Sequence, residues 1–120
     1  MIRGVRGAIT INENTAGEIL SATEQLAKEM IEANNIDPEK VASVFISVTE
    51  DVTGGFPAKA LRSLNGWKFV PVMCMQEIPV PGGLPHCIRI MMHVNTDIGQ
   101  QEIQHIYLRD AKVLRPDLVK

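Results

Sequence analysis

Residues 87–94 read CIRIMMHV, an apolar run interrupted by one arginine. In an extended strand, side chains alternate between two faces. Ile88, Ile90, Met92 and Val94 then share one face, with Cys87, Arg89 and Met91 on the other. Both faces look apolar enough to be covered, which describes a strand inside a layered domain. Arginine stays protonated in proteins, and a charge taken out of water must be answered by an opposite one. Either a carboxylate of the chain pairs with Arg89, or the answering charge arrives with a ligand.

Working outward, residues 67–80 (WKFVPVMCMQEIPV) are strand-like, with Pro71 and Pro79 bending them or placing them at an edge. Residues 41–49 (VASVFISVT) and 2–11 (IRGVRGAITI) read as two further strands, and 105–114 (HIYLRDAKVL) as the last. Thr15 and Glu18 stand at capping-box spacing before a long helix. Ile19, Ala22, Leu26, Ala27, Met30 and Ile31 recur along it at helical spacing, and Asn34–Asn35 ends it. Asp37–Pro38 begins a turn. Residues 56–64 (FPAKALRSL) form a short helix with Pro57 near its start and Asn65–Gly66 closing it. One long helix covers one face of a sheet. The second face of the 87–94 strand needs another partner, and a second copy of the chain is the simplest.

The totals agree with a single domain over residues 1–120. Apolar residues make up 45% and charged residues 22%, as in an ordinary globular protein. Aromatics are only 4%, so aliphatic residues and methionine must fill the core. The net charge of −2 argues against a nucleic-acid or anionic-membrane partner. No leader and no apolar run of membrane length is visible, so a cytoplasmic protein is expected. Cys74 and Cys87 lack zinc or redox spacing and read as two free thiols.

Several charges look misplaced. Glu77 shares a strand face with Met73 and Met75, where a carboxylate is costly unless paired. A buried ion pair with Arg89 on a neighbouring strand is the plain structural reading; two groups flanking a polar ligand is the functional one. Arg6, the Lys59–Arg62 pair and Arg115 before Pro116 each read first as solvated charges, and Tyr107 as a core tyrosine. His86, His93 and His105 are scattered, so no metal is expected. No phosphate loop, dinucleotide loop or nucleophile elbow occurs, so neither a cofactor cradle nor an activated nucleophile is expected.

Taken together, IRGVRGAITI, FPAKALR, GWKFVPVMCMQE, CIRIMM and YLRDAKVLRPDL, in that order over nearly the whole chain, resemble the trimeric, barrel-like chorismate mutases. The resemblance implies an α+β fold: a mixed five-stranded sheet with one long and one short helix per chain. Three such sheets would form a pseudo-barrel homotrimer with sites between subunits. It also implies a cofactor-free [3,3] rearrangement of chorismate to prephenate, toward phenylalanine and tyrosine. That reaction moves no proton and needs no nucleophile.

By the same resemblance, Arg89 would meet the ether oxygen and Glu77 the ring hydroxyl. Arg6 and Tyr107 would hold the enolpyruvyl carboxylate. Phe56, Ala58, Lys59, Val72, Met73 and Cys74 would line the wall from the adjacent subunit. Arg62 and Arg115 would lie at the mouth, with Leu114 closing over the ligand. Met73 stands where the family is expected to carry threonine, and the segment after Leu114 implies a short lid. Two other readings compete: an enamine/imine deaminase of the RidA type, whose activated water has no motif here, and a non-catalytic trimer that binds a pathway metabolite.

Overall fold

Alternating apolar positions put five strands into one sheet in the computed structural model, which describes residues 1–117. The end of the expected domain, residues 118–120, lies outside the described residues. The elements are β1 (Ile2–Thr10), α1 (Ala16–Asn34), β2 (Val41–Val48), α2 (Ala58–Arg62), β3 (Val72–Gln76), β4 (Cys87–Asn95) and β5 (Ile106–Leu108). The strand order is β3-β2-β4-β1-β5. CIRIMMHV is thus the central strand, antiparallel to β1 and β2 on either side. The edges β3 and β5 run parallel to β2 and β1, so the sheet is mixed, as expected.

Among the described residues α1 supplies the only long cover. Its buried stripe, Ile19, Ala22, Thr23, Leu26, Ala27 and Met30, packs on Val5, Ile9, Val44, Ile46 and the even-numbered residues of β4. Thr23 is tolerated there because its hydroxyl donates to Ile19 O at 2.7 Å. The start of the helix departs from a full capping box. Thr15 Oγ1 accepts from Glu18 N at 3.2 Å, but the Glu18 carboxylate accepts from Asn12 N and from Arg109. At the other end, Asn35 takes a left-handed backbone, and Asn34 is clamped to Gln104 by two amide hydrogen bonds of 2.8 and 2.9 Å. That clamp fixes where the chain enters β5.

Two strands are shorter than their sequence patterns suggest. Residues 67–70 turn instead of extending because Trp67 plugs the core, and Pro79 lies beyond the ladder. The last strand stops at Leu108, and Arg109–Leu114 coil as a 3₁₀ turn. Arg109 makes the corner with a left-handed φ of 54°. Its guanidinium donates to Thr10 O, Glu18 Oε1 and Gln25 Oε1, and Asp110 N donates to Thr10 Oγ1. These long-range partners outweigh the strand pattern of the local sequence.

The other sheet face is left largely uncovered within one chain, as one long helix for two faces implies. Within one chain Arg89 is 47% exposed, and Phe45, Met73 and Met75 stand open to solvent on the same side. Among the described residues only the β5 end of this face is covered, where Ala8, Cys87, Tyr107 and Ala111 pack with Leu84 and Leu114.

Gly7 sits where β1 passes closest to α1. A Cβ there would meet Met30 Sδ, Leu26 Cδ1 and the Ile106 carbonyl oxygen, at 3.2 Å for the last. Gly7→Ala is expected to destabilise the fold by about 1–3 kcal/mol through overpacking, read as a lower urea midpoint at unchanged slope.

Candidate active site on the open sheet face

Strand register builds the site. Cα pairing aligns Met75, Ser47, Arg89, Ala8 and Tyr107 in one row across the sheet, and Met73, Phe45, Met91 and Arg6 in the next. Side chains in register project from the same face. Ala8 is the small member of its row, so a hollow opens between Arg89 and Tyr107. The 109–114 turn, held by Arg109, brings Leu114 and Arg115 over its edge. The resulting cavity, about 400 Å³, is lined by Arg6, Glu77, Arg89, Tyr107, Leu114 and Arg115 together with Ser47 and Ala8. That volume suits a small-molecule ligand.

Glu77 and Arg89 do pair, but not across neighbouring strands and not in a dry interior. β3 and β4 are separated by β2, and the two side chains meet over Ser47. Arg89 Nη1 lies 3.5 Å from Glu77 Oε2, and Ser47 Oγ donates to the same oxygen at 3.4 Å. Glu77 Oε1 accepts from Ile78 N at 3.0 Å. A long, partly solvated pair of this kind holds its partners weakly. One guanidinium edge is engaged by Glu77, and both residues line the cavity. A second hollow of about 500 Å³, walled by the 78–85 loop and Asp51, lies on the far side of the same pair.

Three guanidinium groups therefore converge on one cleft of an acidic chain. Arg115 is forked onto Asp117 through bonds of 3.1 and 2.9 Å, which hold the Asp117 carboxyl below its ordinary range. The backbone N–H of Arg6 donates to His105 Nδ1 at 3.0 Å. Burial, then the charges of Arg6 and Arg115, push the His105 ring below its usual pKa. Burial likewise raises the Cys87 thiol, and both cysteines are free.

The remaining expected site residues lie elsewhere in the chain. Phe56 is exposed before α2, Ala58 is buried, and Lys59 and Arg62 are exposed on that helix. Val72 and Cys74 turn their side chains to the helix-covered face, against the core, while Met73 stands on the open face. None of these seven lines the cavity within one chain. Ser47 and Ala8, which no motif signalled, do line it. Ser47 had a faint signal in its alternation with the buried Val44 and Ile46; Ala8 becomes visible only through register.

Fold and cleft together define a two-layer α+β protein with a cation-lined cavity on the uncovered face of a mixed sheet. A family model described as chorismate mutase type I matches residues 2–118, and the chain belongs to that family. It is 53% identical over 118 residues to the chorismate mutase AroH of Bacillus subtilis, covering 98% of this chain and 93% of that one. Identity to the chorismate mutase AroH of Thermus thermophilus is 49% over 119 residues, covering 98% and 97%. Among solved structures, a chorismate mutase from Clostridium thermocellum superposes with a TM-score of 0.89 at 48% identity, covering 92% of this chain and 98% of that one.

The Glu18–Arg109 bond that anchors the cavity's edge has a measurable signature. The guanidinium lowers the Glu18 carboxyl from its ordinary value of about 4.5. A depressed carboxyl contributes stability above its unfolded pKa and loses it as pH falls through the folded one. Thermal midpoints should therefore drop on acidification below about pH 4.5, and Arg109→Ala should make that drop shallower.

Proposed function

We propose that the protein is a chorismate mutase, converting chorismate to prephenate in phenylalanine and tyrosine biosynthesis, with its 120 residues acting as one catalytic domain. The observation that carries this reading is the convergence of Arg6, Arg89 and Arg115 on one cavity beside Glu77 and Tyr107. Chorismate is a dianion, which suits such a cleft even in a chain of net charge −2. The reaction breaks a C–O bond while a C–C bond forms, and charge separates only on the way. Arg89 meets the ether oxygen, where negative charge grows. Glu77 binds the ring hydroxyl and lies near the ring, where positive character develops. Arg6 and Tyr107 hold the enolpyruvyl carboxylate so that the compact conformer is the one bound.

The magnitudes close. A millionfold acceleration corresponds to about 8 kcal/mol. One preorganised donor aimed at a developing oxyanion supplies about 3–4 kcal/mol, and conformer restriction several more. Arg89 is the largest single contribution and is insufficient alone.

The site is completed in a homotrimer. The open face, with Phe45, Met73 and Met75 exposed, is the surface that a neighbour covers. The neighbour brings Phe56, Ala58, Lys59 and Arg62, with Met73 on its sheet face. Val72 and Cys74 contribute differently, because their side chains point into their own core. Pro71 O and Glu77 N bond to β2, so the backbone groups of the even-numbered residues between them face outward from the β3 edge. Through those groups Val72 and Cys74 reach a ligand. The enzyme acts in the cytoplasm without cofactor, metal, nucleic acid or membrane; among the described residues no helix is long and apolar enough to cross one.

Loss of chorismate's ultraviolet absorbance, followed with purified protein and no additions, tests the reading. Saturable loss is expected and excludes a mere metabolite binder; an unchanged background rate refutes the mutase. Arg89→Lys should lower kcat by about 100-fold or more, because an ammonium cannot reproduce the fixed guanidinium fork. Near-native turnover in that variant would overturn its role. Since no proton moves, kcat itself should stay flat from about pH 6 to 9, whereas a bell would indicate acid–base chemistry.

A further inference from the structure

β5 pairs with β1 in parallel, and its ladder starts only at Ile106, in register with Gly7. One residue earlier, a side chain takes over the ladder's work. The backbone N–H of Arg6 donates to His105 Nδ1 at 3.0 Å. An imidazole that accepts at Nδ1 carries its proton on Nε2. His105 is itself held from behind, since Gln104 is clamped to Asn34 at the end of α1. Two residues further on, Tyr107 lines the cavity with Arg6. His105 therefore joins the two groups given the carboxylate of the ligand, although it does not line the cavity itself.

We propose that His105, as the neutral Nε2–H tautomer, is a positioning residue that fixes the backbone from which Arg6 reaches the ligand carboxylate. The inference rests on the role proposed above for Arg6. Without the acceptor, a partly buried N–H at the start of the β1–β5 ladder is left unpaired. Protonation has the same effect, because imidazolium has no acceptor and turns an N–H toward an N–H. The charged groups acting on the ring are Arg6 from β1 and Arg115 from the C-terminal segment. α1 presents the neutral amide of Asn34 to the neighbouring residue, and Tyr107 is the nearest titratable group along β5. Burial and both guanidinium charges keep the ring neutral near pH 7. A competing electrostatic role has the opposite sign: an imidazolium near the anion would tighten binding rather than loosen it.

The experiment compares steady-state chorismate turnover of the parent, His105→Asn, His105→Leu and Arg6→Ala across pH, with thermal transitions recorded for each. Asparagine can place its amide oxygen near the position of Nδ1 and cannot titrate. His105→Leu should raise KM about tenfold, as expected for one unsatisfied donor, with kcat changed far less. His105→Asn should keep KM near the parent value. In the parent, KM should rise on acidification below neutrality, and His105→Asn should remove that rise. An unchanged KM in folded His105→Leu, or a parent KM that falls on acidification, overturns the proposal. So does an acid rise in KM that persists in His105→Asn, which decides the matter even where His105→Leu fails to fold. If Arg6→Ala leaves KM unmoved, the carboxylate role of Arg6 fails; if only His105→Leu does, the positioning role alone fails.

Discussion

The site depends on a shortage of cover. Five strands present two faces, and the described residues hold one long helix to lay against them. The main core commits to the α1 side, where Ile88, Ile90 and Met92 of the central strand are sealed, and only a small cluster around Ala8, Cys87 and Ala111 is buried on the other. The opposite side of the same strand is then forced outward, carrying Arg89 with it. Because β4 is hydrogen-bonded on both flanks, the backbone beneath Arg89 cannot shift to relieve its charge. A guanidinium on a rigid central strand is positioned before any ligand arrives. This is the condition under which electrostatic stabilisation of a charge-separated transition state needs little reorganisation.

Register then decides what stands beside that guanidinium. Small residues flank it in its row, Ser47 on one side and Ala8 on the other. Ser47 lets Glu77 reach across an intervening strand, and Ala8 leaves a hollow bounded by Tyr107. The edges are held by contacts remote from the chemistry: Arg109 ties the turn after β5 to Glu18 and Gln25, and Asn34 ties its entry through Gln104.

Much of this was legible in the sequence. The alternation of CIRIMMHV, the helical spacing from Ile19 to Met30, and the mismatch between one helix and a two-sided strand led to a sheet with one face left for a partner; that the sheet is mixed and five-stranded was implied by the family resemblance. Arg6, Glu77, Arg89, Tyr107, Leu114 and Arg115, expected from the family resemblance, do meet at one cavity. What failed locally failed for non-local reasons. Arg109 bends the chain through partners about 90 residues away, as its bond to Glu18 at a separation of 91 shows. Glu77 finds Arg89 over a strand that pattern alone does not interpose. Strand order is a property of pairing, and pairing leaves no period in the sequence.

The parallel pairing of β5 with β1 joins Gly7 to Ile106, nearly the two ends of the chain. Closing so long a loop is entropically expensive and has no local contacts to prepare it. During synthesis, β1 must wait for most of the polypeptide to emerge before Tyr107 can lie beside Ala8. The corner of the cavity where Arg6 and Tyr107 meet is therefore assembled late. A ribosome-bound fragment lacking these last residues would contain Arg89 yet have no Tyr107 wall to set against it.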